Sequence, residues 1–283
     1  MIKNNVLGKY ANNVASQFGE DGVLKRIFEI IPEGNKWCVE FGAWDGKHLS
    51  NCYNLLSNDG WNGVMIEANS EKFKSLQQTY KGNSKTALIN RFVSFEGNNS
   101  LDSILKETAL PVDFDLLSID IDGNDIYIWE SLKKYEPKVV IIEFNPTIPS
   151  DIDFTQERDI KITQGSSLLS ITKLGKLKGY ELVATTACNG IYVKKQYYDL
   201  FALKDNSPGV LWDAEEVAPR LFQLYDGTIV LSKDFTLLWN EVKVGKFDLQ
   251  KLPKFFRFFV DSQSVSGSFK KKLFKMYRNK INS

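Results

Sequence analysis

The sequence predicts an α/β fold, a mostly parallel sheet covered by helices on both faces and followed by a carboxy-terminal extension. Three observations carry this. Apolar strand-like runs alternate with segments of helical periodicity from about residue 16 to 195. Three of the runs, 36–41, 114–122 and 138–146, are continuously apolar, as in strands buried on both faces. Acids gather where those runs end, at Glu40, Glu67, Asp120 and Glu143.

Each element has its own signal. Residues 16–31 space Phe18, Val23, Ile27, Ile30 and Ile31 on one helical face, and Pro32 ends the run. "KWCVEF" (36–41) is the first strand, and 48–60 reads as a helix closed by Gly60. "GVMIEAN" (63–69) is the second strand, followed by a helix over 70–80 with Ser70 as its N-cap. A third strand falls within 85–95 and a short helix over 99–107. "FDLLSIDID" (114–122) is the fourth strand, then a helix over 124–135 that Asn124 caps. "KVVIIEFNP" (138–146) is the fifth, then a helix over 166–179. "YELVATT" and "GIYVKK" form a closing hairpin around Asn189-Gly190. Beyond 195 the signal thins, and 225–242 suggests two strands or a strand and a bend.

The 283-residue chain is 43% hydrophobic and 25% charged, an ordinary globular balance. No apolar stretch approaches the roughly 20 residues of a membrane-spanning helix. The first residues lack the apolar core of a secretion signal. Cys38, Cys52 and Cys188 have no metal-type spacing, so a reducing, cytoplasmic setting is expected. The net charge of +1 divides into +7 over 254–283 and −6 over the rest, and an acidic body argues against a nucleic-acid partner. In "FKKKLFKMYRNKI", positions 269, 273, 276 and 277 share a helical face among six cations, which suits reversible contact with an anionic membrane. A solvated or body-docked tail is the alternative.

"CVEFGAWDGKHLSN" (38–51) poses the chemical question. Gly42 and Gly46 allow a tight turn and a close approach of backbone to a ligand. A following helix would aim its free N–H groups at that ligand. Glu40 suits a cation such as an ammonium and would oppose a pyrophosphate. Glu67, at the end of the second strand, is placed to accept both hydroxyls of a ribose. A ligand with a ribose and an amino-acid head meets all of this, and S-adenosylmethionine is one.

Asp120, Asp122 and Asp125 crowd like charges beyond the fourth strand, which asks for a cation or a proton among them. Asp122 or Asp125 is the preferred general base. His48, the only histidine, is the second candidate, and it is equally placed to hold the cofactor's carboxylate or to cap a helix. Asp120, Asp122 and Glu143 are alternatively a ligand set for Mg²⁺ or Mn²⁺. "EFNP" (143–146) departs from the Asn-Pro-Pro-Tyr pattern that follows the fourth strand in methylases of base amino groups.

These pieces together resemble the FkbM-type family of class I S-adenosylmethionine-dependent methyltransferases. The likeness rests on "SQFGEDGVL" (16–24), "VEFGAWDGKHLSN" (39–51), "GWNGVMIEAN" (60–69), "FDLLSIDIDGNDIYIWESL" (114–132), "VVIIEFNP" (139–146) and "GSSLLSITKLGKLKGYELV" (165–183). The resemblance implies a Rossmann-like sheet of seven strands whose last is antiparallel. It implies O-methylation of a sugar, sugar nucleotide or cell-surface polysaccharide, and a Gln17 segment folded over the cofactor. The family's Asp-Val-Glu-Gly-like motif after the fourth strand is here Asp120-Ile121-Asp122-Gly123. The expected cofactor contacts are Gln17, Glu40, Gly42, Ala43, Asp45, Gly46, Ser50, Asn51, Glu67, Ala68 and Asp120. The expected organisation is a methyltransferase domain over 1–195, an extension over 196–260 with short strands and helices, and a basic tail over 261–283. Two rivals stand beside this reading. An NAD-dependent oxidoreductase would share Glu67 but needs closely spaced glycines where Trp44 stands. A non-catalytic partner would keep the fold without the cofactor.

Overall fold

A computed structural model describes residues 6–212, 219–237 and 241–257, with positions 273, 276 and 277. The chain divides into two compact units, one of residues 1–146 and 150–216 and one of 147–149 and 217–283. The basic tail expected to touch a membrane lies outside the described residues, those three positions excepted. Among the described residues no helix is long and apolar enough to cross a membrane.

The first unit is built on a seven-stranded sheet. In chain order it contains α1 (Glu20–Ile30), β1 (Trp37–Phe41), α2 (Tyr53–Ser57), β2 (Asn62–Glu67), α3 (Ser70–Thr79), β3 (Thr86–Asn90), α4 (Leu101–Leu105), β4 (Leu116–Ile119), α5 (Asp125–Ser131), β5 (Val139–Glu143), α6 (Leu168–Leu177), β6 (Tyr180–Thr185), β7 (Asn189–Lys194) and α7 (Pro208–Leu211). The strand order is β3-β2-β1-β4-β5-β7-β6. The first five strands are parallel, and β7 runs antiparallel to both β5 and β6. The order reverses between β1 and β4, and the crevice beyond the carboxyl ends of such strands is where ligands bind in doubly wound sheets. This is the Rossmann-like, seven-stranded architecture expected.

The core follows from the apolar runs. Val39 and Phe41 of β1, all four residues of β4 and the first four of β5 are buried. Trp129 of α5 packs on Tyr192 of β7 and Tyr180 of β6, with ring centres 5.2 and 5.6 Å apart. The second unit carries two antiparallel pairs, β8 (Leu221–Gln223) with β9 (Ile229–Leu231) and β10 (Phe235–Thr236) with β11 (Lys243–Val244).

Five local expectations are corrected. The first helix begins at Glu20, not residue 16, because Gly19 holds a left-handed φ of +94° and Asp21 Oδ2 gathers the N–H groups of Val14, Ala15 and Ser16 into a turn. The helix expected over 48–60 shrinks to the five residues of α2. Leu49 is left-handed (φ +59°), and Ser50 Oγ accepts the N–H groups of Cys52 and Tyr53. Asn69, not Ser70, caps α3, accepting the N–H groups of Glu71 and Lys72. The β6–β7 turn is residues 186–188, so Asn189 and Gly190 open β7 instead of forming the turn. Asn124 does precede α5, but its amide donates to the carbonyls of Asp159 and Ile162 and caps nothing.

Candidate active site

Two cavities meet at the carboxyl ends of the strands. The first, of about 400 Å³, is lined by Gln17, Glu40, Gly42, Ala43, Trp44, His48, Leu49, Ser50, Glu67, Lys72, Asp120, Asp122 and Glu143, with Phe41 and Ile121. The second, of about 260 Å³, is largely apolar and is bounded by Ala68, Phe92, Val93, Ile121 and Ile160. Gly42, Glu67, Ile121 and Asp122 border both. A larger cavity of about 500 Å³ lies at the amino ends of the strands, beside Lys36, Trp61 and Asp115. Several of its charges are paired within the protein, Lys36 with Glu33 and Asp115 with Lys138.

Glu40 anchors the first turn. The β1–β4 register sets Ser118 beside it, and Ser118 Oγ donates to Glu40 Oε1 at 3.3 Å. The backbone N–H of Asn51 donates to the same oxygen at 2.9 Å, and Ser50 Oγ donates to Oε2. Burial pushes the Glu40 carboxyl up, against those hydrogen bonds, which pull it down. The loop 42–52 is therefore tied to the sheet by a buried acid. The N–H groups of Asn51, Cys52 and Tyr53, expected to greet an anion, already have Glu40 and Ser50 as acceptors. With five residues, α2 offers no anion-binding terminus there. Asn51 itself lines neither cavity, and its amide donates to Ser118 Oγ at 3.1 Å.

Gly42 and Gly46 are both left-handed, at φ +72° and +76°. A Cβ on Gly42 would lie 2.2 Å from the carbonyl oxygen of Asp120, and one on Gly46 would lie 2.4 Å from Leu76 Cδ1. Gly42 therefore lets β1 pass against the end of β4, whereas Gly46 packs the turn on α3 and lines neither cavity. Asp45 likewise turns inward to its own loop. Its Oδ1 accepts the N–H groups of Lys47 (2.9 Å) and His48 (2.7 Å). Burial pushes its carboxyl up, but those N–H groups outweigh it and leave it below the usual range.

Glu67 ends β2 with Oε2 accepting the N–H of Trp44 (2.8 Å) and Oε1 that of Asn69 (2.6 Å). A carboxylate has about four acceptor positions, so it retains capacity for two hydroxyls. Gln17 reaches the cavity from a loop held by buried acids. Glu20 accepts from Thr186 and Asn189, and Asp21 accepts from the loop backbone. Neither acid lines either cavity.

Asp120, Asp122 and Glu143 converge, each offering an oxygen within 4.8 Å of the others. Asp120 opens to the cavity yet is walled by protein on most sides. Burial, then the charges of Asp125 and Asp122, push its carboxyl up to about 7. Burial, then Asp120, push Glu143 up to about 9, with a hydrogen bond between the two. Asp125, the other candidate base, does not join them. It is 3% exposed, its oxygens accept the N–H groups of Ile121 and Gly123, and it braces the turn that presents Asp122.

The ordinary values for Asp120 and Glu143 are 3.8 and 4.5, so between those values and about 7 and 9 the folded protein binds more protons than the unfolded chain. Its stability therefore falls as pH rises through that window. Glu143→Gln should raise the melting temperature of the ligand-free protein at pH 8 and change it little at pH 5, by about 2–4 °C for each kcal/mol relieved. Scanning calorimetry at the two pH values checks this, and an equal effect at both would remove the repulsion argument.

Of the second cavity's walls, Gly42, Glu67, Ala68 and Asp122 are among the residues expected from the sequence, whereas Phe92, Val93, Ile160 and Thr163, and Lys72 in the first cavity, are not. Phe92 and Val93 follow β3 at the same sheet edge and were legible by position. Ile160 and Thr163 come from the 150–165 segment, which has no periodic signal. It is held by Gln156, whose amide oxygen accepts the N–H groups of Gln164 and Gly165.

No protein-family model matches the chain, and no curated protein does. The solved structures similar to it include methyltransferases dependent on S-adenosylmethionine. One from Aquifex aeolicus shares 13% identity at a TM-score of 0.39 over 62% of this chain and 89% of its own. One from Clostridium acetobutylicum shares 8% at 0.40 over 62% and 90%. An O-methyltransferase (NcsB1) from neocarzinostatin biosynthesis, bound to S-adenosyl-L-homocysteine, shares 11% at 0.35 over 62% and 57%. Likeness at these scores carries no argument about the reaction, and the architecture stands on its own strand order.

Proposed function

We propose that the protein is an S-adenosylmethionine-dependent O-methyltransferase of FkbM type, acting on a hydroxyl of a sugar, sugar nucleotide or polysaccharide. The observation that carries the reading is that two neighbouring cavities share Glu67 in their walls. An apolar slot suited to a purine adjoins a strand-end acid suited to a ribose, and beyond it lies an acid-lined chamber suited to an ammonium and a sulfonium. A dinucleotide's pyrophosphate would meet the carboxyls of Glu40, Asp120 and Glu143 and none of the loop N–H groups of Asn51, Cys52 and Tyr53, which Glu40 and Ser50 already engage.

When bound, the cofactor supplies a methyl on a sulfonium and leaves as a neutral thioether. The chain's task is alignment and proton handling. Glu67 would fix the ribose, and Gly42 would admit the ligand close to the backbone. Asp120 would face the ammonium. Asp122, open to both cavities, would take the proton of the acceptor hydroxyl, with His48 as the second candidate. The three convergent carboxylates support a second reading, in which Asp120, Asp122 and Glu143 would hold Mg²⁺ or Mn²⁺, an ion that would supply Lewis acidity there. Loss of activity with a chelator, restored by either ion, would favour it.

Glu67→Ala should weaken S-adenosylmethionine binding by about 1–3 kcal/mol. Calorimetry measures this directly, and unchanged affinity would reject the ribose assignment. A mass-spectrometric screen of sugars, nucleotide sugars and glycans for methyl transfer tests the acceptor class.

A further inference from the structure

The outer wall of the first cavity carries chemistry that the cofactor leaves unused. Trp44 is held left-handed, at φ +49°, with its N–H on Glu67. The residue is 43% exposed although it lines the cavity. An exposed indole on a fixed, uncommon backbone is a rigid aromatic platform. Lys72, from the first turn of α3, places Nζ 4.3 Å from the centre of that ring. His48 meets the ring nearly edge-on, with centres 5.5 Å apart. Among the described residues no carboxylate lies within 4.0 Å of Lys72 Nζ, although its charge reaches Asp45 and helps to hold that carboxyl down. By contrast Arg91, the cation of the neighbouring apolar cavity, is paired with Glu107 at 3.0 Å.

One wall of the cavity is thus acidic and the other presents a cation on an aromatic face. Charge sorts what enters between them: a cationic group goes to the acids and an anionic group to Lys72. The geometry points to an acceptor subsite made by Trp44, His48 and Lys72, which takes a sugar ring on the exposed indole and an anionic substituent of that sugar on Lys72. This rests on the methyltransferase reading and narrows its acceptor to phosphorylated or uronic sugars. Pyranose C–H groups pack on the indole surface, and the ammonium, held in no ion pair, forms a charge-assisted bond to phosphate or carboxylate.

The test is calorimetric titration of the full chain, saturated with S-adenosylhomocysteine, with three probes: glucose 1-phosphate, glucuronate and methyl α-glucoside. At least one anionic probe should bind roughly tenfold or more tightly than the neutral one. Lys72→Met should erase that difference and leave S-adenosylhomocysteine affinity within about twofold. Trp44→Ala should weaken all three probes together. Which anionic probe binds better separates phosphate from carboxylate recognition. Equal affinity for the three probes, or no binding of either anionic one, overturns the proposal. A large loss of S-adenosylhomocysteine affinity in Lys72→Met also overturns it, by placing Lys72 on the cofactor. If the wild type does not bind S-adenosylhomocysteine at all, the methyltransferase reading fails. The same titrations without it then still decide whether this wall recognises anionic sugars.

Discussion

Asp122→Asn should lower turnover by about 10²–10⁴-fold, the usual contribution of a general base, with little change in cofactor affinity. The residue stands at the border of both cavities, in the left-handed conformation at φ +55°. Asn adopts that conformation about as readily as Asp, so the substitution removes the basic oxygen without bending the turn. The turn itself is held from below by Asp125 through the N–H groups of Ile121 and Gly123. That division of labour separates two neighbouring acids. Asp125→Asn should appear first as lost stability, since it weakens a buried acceptor, whereas Asp122→Asn should appear as lost rate. The check is S-adenosylhomocysteine release with an acceptor found in the glycan screen, alongside calorimetric cofactor titration of each variant. Less than a tenfold loss in Asp122→Asn, with activity insensitive to chelator, would move the base to His48.

The sheet was legible because its strands are buried on both faces. "WCVEF" and "VVIIE" are nearly unbroken apolar runs, and alternation with helices allows few other arrangements. The acids at the strand ends were legible for the same reason: a carboxylate closing such a run is conspicuous. What those acids bond to was not legible. Glu40 was expected to face a ligand's ammonium, and it does line the cavity. Yet its oxygens also accept from Ser50, Asn51 and Ser118, the last brought there by strand register across 78 positions of sequence. Asp45 and Asp125 look like Glu40 in sequence but bond to their own turns. The turns that carry these acids contain left-handed residues besides glycine, Trp44, Leu49 and Asp122 among them, and no periodic pattern reports them. Lys72 escaped notice because a lysine in the first turn of a polar helix reads as a solvated face. Its proximity to Trp44 depends on two elements meeting at the sheet edge.

Gly42→Ala should destabilise the protein by about 2–4 kcal/mol and impair cofactor binding with it. Two costs combine at this position. Alanine at φ +72° is strained whatever surrounds it, by about 1 kcal/mol. In addition, its Cβ would fall 2.2 Å from the carbonyl oxygen of Asp120, a backbone atom that cannot swing aside as a side-chain tip would. Relief requires the end of β1 and the end of β4 to separate, and Asp120 is itself part of the acid-lined wall. The damage therefore passes from packing to the site. Gly97→Ala supplies the control, because Gly97 is also left-handed, at φ +68°, but a Cβ there would meet nothing within 4 Å. It should lose only the strain term and keep wild-type cofactor affinity. Urea unfolding of the two variants isolates the steric cost as their difference, and calorimetric titration shows whether that cost reaches the ligand. If Gly42→Ala is no less stable than Gly97→Ala, the close passage of β1 against the end of β4 is not what the glycine provides. If it is less stable yet binds S-adenosylmethionine normally, the two strand ends do not frame the cofactor.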